Sequence, residues 1–158
     1  LTLTGSANID GTGNSGNNVI TGNDGKNTLS GGFGNDSLTG GLGADILVGG
    51  FGNDTLFLGL NDGAIDRVVY NLGDDSDVVN QFIRGIGGDL LQFNGIAAID
   101  VRTVNGNTQF RLGDGIAGNN NFGSGSLLLT LNGVNGFTSS NINDNILAGS
   151  TPTIFQFS

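Results

Sequence analysis

Asp36, Asp45 and Asp54 recur at intervals of nine residues, each in the sixth place of a nonapeptide. The three nonapeptides are contiguous: Gly31–Thr39, Gly40–Val48 and Gly49–Phe57. Each has glycine in places 1, 2 and 4 and leucine in place 8. Glycine admits positive φ and lets backbone carbonyls approach one another with no Cβ between them. Places 1 to 6 can therefore form a tight turn lined with oxygens, to which the aspartate adds a carboxylate. Oxygen-only surroundings of this kind suit a hard divalent cation, Ca²⁺ above all.

The elements that would position these turns follow from places 7 to 9. Ser37-Leu38-Thr39, Ile46-Leu47-Val48 and Thr55-Leu56-Phe57 suit short strands whose middle residue points inward. Two turn–strand units make a coil of 18 residues, which sets Asp36 over Asp54. Without a cation between them the two carboxylates would repel. The same spacing sorts the inward residues, with Ile20, Leu38 and Leu56 on one sheet and Leu29 and Leu47 on the other. A flexible Gly/Asn linker gives no reason for leucine to return every nine residues.

The register extends backwards through Gly22–Ser30 and Gly13–Thr21, which keep glycine in places 1 and 4 but carry Asn27 and Asn18 in place 6. Asparagine preserves the turn geometry without the negative charge. Leu1–Thr4 alternates like an opening strand, and Ile9 is expected to point inward. After Phe57 the glycine period fails. Residues 58–63 keep a trace of the turn, and Ile65 falls in place 8. Short apolar runs then alternate with Gly/Asn/Asp turns at 67–72, 78–83, 90–93, 101–104, 108–112, 127–131 and 154–157. Val101 to Leu112 reads as a hairpin with Asn105-Gly106 at its tip, and 113–125 as a mobile loop. The expected fold is all-β: a right-handed parallel β-roll over residues 1–57, regular from 13, capped by an antiparallel β-rich region over 58–158. The phenylalanines concentrated in that region would build the larger core.

Composition narrows the function. All 14 acidic residues are Asp, the net charge is −9, and His, Cys, Glu, Trp and Met are absent. Only Lys26, Arg67, Arg84, Arg102 and Arg111 are basic, too few for a nucleic-acid-binding face. The lack of Glu rejects an EF-hand loop. The lack of His and Cys removes zinc sites and the usual nucleophile–base pairs, so this segment is not expected to be an enzyme. No apolar run is long enough to span a membrane. A chain starting at Leu1 reads as a piece of a larger protein.

Residues 13 to 57 resemble the calcium-binding β-roll of RTX proteins, whose repeat has the form G-G-x-G-x-D-x-U-x and which leave bacteria by type I secretion. Asp66-Arg67-Val68-Val69, Asp77 to Phe82 and Gly88 to Phe93 are similar to the D-x-I-x-D-F and D-x-I-x-L segments that follow such repeats. The resemblance implies that each Ca²⁺ lies between turns 18 residues apart, held by backbone carbonyls and two place-6 carboxylates. Carried over, the complete site joins Asp36 and Asp54 with the backbone of Gly31, Phe33, Gly50 and Gly52. A second row joins Asp45 with the backbone of Gly40 and Leu42, looking back to Asn27 and forward to Asp62. About two to four ions are expected. The resemblance further implies a secreted, extracellular module that folds on calcium after export through the type I secretion machinery and serves a larger protein. The alternative is a calcium-dependent module binding polysaccharide or a cell surface.

Two further features invite chemistry. Asp74-Asp75-Ser76-Asp77 is the densest acidic cluster and reads as a solvated turn, with a cation site or paired carboxylates for hydrolysis as the alternatives. Phe33 and Phe51 share place 3 of turns 18 residues apart, so they should stack on the roll's surface, as a local ladder or as a patch for a partner.

Overall fold

In the computed structural model, residues 1–59, 62–113, 125–147 and 154–157 are described. Short strands follow one another along the turns: β1 (Gly11–Thr12), β2 (Val19–Thr21), β3 (Thr28–Phe33), β4 (Ser37–Thr39), β5 (Ile46–Phe51), β6 (Thr55–Phe57), β7 (Arg67–Asn71), β8 (Asp77–Asn80) and β9 (Leu90–Asn94). Odd-numbered strands stack in one sheet, in the order β1-β3-β5-β7-β9. Even-numbered strands stack in the other. This alternation is what an 18-residue coil requires, and the molecule is a parallel β-roll. Val19 pairs with Ser37 and Ser37 with Thr55 in one sheet, Thr28 with Ile46 in the other. Among the described residues no helix is long and apolar enough to cross a membrane.

The inward residues sort as the spacing demands. Ile20, Leu38 and Leu56 line one sheet, Leu29 and Leu47 the other, and all five are buried. Full burial of each such side chain contributes about 2 kcal/mol. Glycine is obligatory where successive turns stack. Gly50 and Gly52 have φ of 102° and 122°, and a Cβ on either would lie 2.2 Å from the Gly32 or Gly34 carbonyl oxygen.

The parallel ladders do not stop at Phe57, where antiparallel pairing was expected to begin. β7 continues β5, β8 continues β6 and β9 continues β7, all parallel. The coil simply lengthens. Asp45 lies under Asp66 at an offset of 21 residues, and Asp54 under Asp77 at 23. The extra residues go into the turns, so the inward place passes from Ile65, which is exposed, to the buried Val68. Ile9 is likewise exposed rather than inward. Residues 1–3 run alongside β2, with the Leu3 N–H donating to the Thr21 carbonyl.

Among the described residues, antiparallel pairing is confined to β10 (Ala98–Val104), β11 (Asn107–Leu112) and β12 (Leu127–Leu131). The hairpin turns on Asn105 and Gly106, both at positive φ, as an Asn-Gly tip requires. β12 then pairs in parallel with β8, and β10 with β13 (Ile154–Phe157), so this region extends the even-numbered sheet. Phe93, Phe110, Phe137 and Phe82 pack in sequence with ring centroids 5.5, 6.0 and 6.5 Å apart. They belong to the same core cluster as the inward leucines of the roll. Most of the Gly/Asn-rich stretch expected to be mobile, 114–124, lies outside the described residues.

Candidate metal centre

The repeating turns set their place-6 side chains in two vertical columns. In the first, the Asn18 N–H donates to Asp36 Oδ1 at 2.7 Å, the Asp36 N–H to Asp54 Oδ1 at 2.7 Å, and the Asp54 N–H to Asp77 Oδ1 at 3.0 Å. In the second, the Asn27 N–H donates to Asp45 Oδ1 at 2.8 Å, the Asp45 N–H to Asp66 Oδ1 at 2.8 Å, and the Asp66 N–H to Asp89 Oδ1 at 3.0 Å. Each carboxylate thus spends one oxygen on the coil before it.

The other oxygen is what matters for a cation. Oδ2 of Asp36, Asp45 and Asp54 is buried and has no hydrogen-bond partner. A buried carboxylate oxygen left in this state carries a full desolvation penalty. Each points at the place-1 glycine of its own repeat. A Cβ on Gly31 would lie 2.1 Å from Asp36 Oδ2 and 2.5 Å from the Gly49 carbonyl oxygen of the next coil. A Cβ on Gly40 would lie 2.6 Å from both Asp45 Oδ2 and the Leu58 carbonyl oxygen. A carboxylate oxygen and a carbonyl oxygen from adjacent coils therefore converge where only glycine leaves room. This donor set is all oxygen and fits Ca²⁺. Among the described residues no three acidic side chains gather to hold a metal ion, so backbone carbonyls must complete the coordination.

Burial also raises the affinity of these groups for protons. It pushes Asp77 up to about 8, Asp45 to about 7, and Asp54 and Asp66 to about 6. Backbone N–H donors pull each of them down in part, and neighbouring aspartates push them up again. Such a stack holds its negative charge at neutral pH only at an energetic cost, which a cation relieves.

The asparagine turns are built differently. Asn18 Oδ1 accepts from the Asn14 N–H at 2.7 Å, and its Nδ2 donates to Asn14 Oδ1. Asn27 Oδ1 accepts from the Asn23 N–H, and its Nδ2 donates to Asn23 Oδ1 and to the Ile9 carbonyl. An amide pair between places 2 and 6 closes these turns, and Asn27 has little left to offer an ion.

The second row was expected to look forward to the turn near Asp62. Asp62 instead accepts from the Gly43 and Ala64 N–H groups, and Asp66 takes the column position. Asp74 to Asp77 is not a solvated turn. Asp74 and Asp77 are buried, and Asp74 Oδ2 accepts from both the backbone N–H and the side-chain amide of Asn71. The missed signal was a stretched repeat: Gly73 keeps the positive φ of a place-4 glycine, and the Ser76 N–H donates to Asn53 Oδ1. That bond extends a ladder of side-chain amides running through Asn17 and Asn35. Asp89 ends the second column, since its Oδ2 is filled by the Ile83 N–H. Phe33 and Phe51 do stack, at 4.9 Å and 14°, and both are exposed.

Comparison with known families places this roll. Residues 12–38, 21–56 and 31–63 match the RTX calcium-binding nonapeptide repeat. This stretch of the chain is an RTX-type β-roll, a calcium-binding module. Among solved structures the chain is similar to the AlgE6R3 subunit of the mannuronan C5-epimerase of Azotobacter vinelandii. The two are 25% identical over 94% of this chain and 83% of that one, with a TM-score of 0.40. No curated protein matches the chain.

Proposed function

We propose that this chain is the calcium-folded, extracellular RTX module of a larger secreted protein. It stays loose inside the cell, passes through the type I secretion machinery and folds on meeting external calcium. The observation that carries this reading is the set of buried, partnerless oxygens on Asp36, Asp45 and Asp54. Bound calcium supplies the positive charge that lets these carboxylates remain buried and ionised. Asp36 and Asp54, with the backbone of Gly31, Phe33, Gly50 and Gly52, form the leading site; Gly40, Leu42 and Asp45 belong to the second row. Residues 1–57 are the calcium-dependent roll and residues 58–158 the capping region, whose first coils carry the roll's sheets onward. The module itself is non-catalytic, and any chemistry belongs to another part of the parent protein.

Extracellular calcium modules bind at roughly 10⁻⁴–10⁻³ M, far above cytosolic calcium, so the switch follows the compartment. Ten-fold excess over Kd adds about 1.4 kcal/mol per site. The test is a refolding titration with Ca²⁺ from the chelated protein. A sigmoidal gain of β-structure in the 10⁻⁴–10⁻³ M range is expected, and a chain fully folded in chelator would refute the reading.

A second reading rests on the exposed Phe33–Phe51 stack, an aromatic patch on the roll's surface open to a partner. It makes the module a calcium-dependent binder of polysaccharide. A glycan array probed with and without Ca²⁺ should show calcium-dependent binding that Phe51→Ala abolishes; an array blank in both conditions would dismiss it.

A further inference from the structure

We propose that each column takes one more calcium ion than the nine-residue repeats account for, between Asp45 and Asp66 and between Asp54 and Asp77. The inference rests on the calcium reading above and extends it into coils beyond the last nine-residue repeat.

The Asp45–Asp66 pair reproduces the geometry of Asp36–Asp54. The Asp45 N–H reaches Asp66 Oδ1 at 2.8 Å, against 2.7 Å for the Asp36 N–H to Asp54 Oδ1. Asp45 is 1% exposed and its Oδ2 has no partner. That oxygen and the Leu58 carbonyl converge over Gly40, just as Asp36 Oδ2 and the Gly49 carbonyl converge over Gly31. Leu58 is no glycine, yet a carbonyl ligand does not depend on residue type, so an irregular coil can supply it. The three extra residues before Asp66 enter the turn and leave the stacking intact.

The Asp54–Asp77 pair stands on its own observation. Asp54 is 1% exposed, and its Oδ2 is the third partnerless buried oxygen, packed against Gly49. Above it lies Asp77, 2% exposed, with Asp74 buried in the same turn. An ion between the coils neutralises Asp54 and Asp77 together. The columns end there: Asp89 has both oxygens filled by N–H donors.

The test counts bound calcium by native mass spectrometry in the wild type and in Asp36→Asn, Asp66→Asn and Asp77→Asn. Asparagine keeps the Oδ1 acceptor and removes the charge. Asp66→Asn and Asp77→Asn should each lose one ion, with the remaining ions retained at millimolar calcium. If Asp36→Asn loses an ion while Asp66→Asn and Asp77→Asn bind the wild-type number, the extension is wrong and the calcium reading stands. If the wild type binds none, the calcium reading itself falls. Should a variant fail to fold, the anomalous-scattering map of the calcium-bound wild-type crystal decides: peaks beside Asp66 and Asp77 support the proposal, and their absence beside a peak at Asp36–Asp54 overturns it.

Discussion

Asp77 stands to Asp54 as Asp54 stands to Asp36. In both pairs the N–H of the lower aspartate donates to Oδ1 of the upper, at 3.0 Å and 2.7 Å, although 23 residues separate the first pair and 18 the second. The stacking therefore belongs to the coil and not to the length of the repeat. Five added residues bulge out of the turns without disturbing the column beneath.

Because the asparagine turns are closed by their own amide pairs, they should outlast calcium. In chelator, hydrogen exchange is expected to deprotect residues 31–57 before residues 13–30. The aspartate turns lose their neutralising ions, while Asn18 and Asn27 bring no like-charge repulsion. Simultaneous deprotection of all five repeats would mean that the roll opens as one cooperative unit.

The same carboxylates give the roll a defined response to pH. Asp45, Asp54, Asp66 and Asp77 are raised from the ordinary value of 3.8 to between about 6 and 8. A raised folded-state value means that the calcium-free roll binds protons more tightly than the unfolded chain. Its stability is therefore greatest below the ordinary carboxylate range and is lost as pH rises through about 6 to 8. Calcium must displace these protons, so the calcium midpoint should rise on acidification. Circular dichroism in calcium-free buffer should show more β-structure at about pH 5.5 than at about pH 8; the opposite order would contradict it.

Asp74 should matter to stability. Its buried carboxylate holds the Asn71 N–H at 2.8 Å and the Asn71 amide at 2.9 Å. Asp74→Ala would leave that N–H without its acceptor, at a cost of roughly 1–3 kcal/mol. Denaturant unfolding in saturating calcium measures the loss, with Asp75→Ala, at an exposed neighbour, as the control. Equal stability of the two variants would return the cluster to a solvated turn.

The parts legible in the sequence were those that a strict period encodes. Leu38 and Leu47 could be assigned to opposite sheets because nine residues make half a coil, and the hairpin at Asn105-Gly106 followed from a dipeptide with one strong preference. Asp66 and Asp77 were hidden by insertions. Once three residues enter the turn after Leu58, counting by nine lands on Gly63, next to Asp62, and on Ile65, whereas the sheets select Asp66 and Val68. The period of nine does not register that shift, since strand pairing with the previous coil decides it. The parallel continuation through β9 was obscured for the same reason: without glycine in places 1 and 2, Tyr70–Asp77 no longer looks like a turn of the roll.

The most direct measurement is the circular dichroism of the wild type and of Asp54→Ala as a function of Ca²⁺. Asp54 belongs to the leading site and closes the gap above Asp36, so its loss should shift the folding midpoint to higher calcium, while the wild type should be poorly folded in excess chelator. A wild type equally folded in chelator, or an Asp54→Ala variant folding at the wild-type midpoint, would contradict calcium-driven folding of this roll.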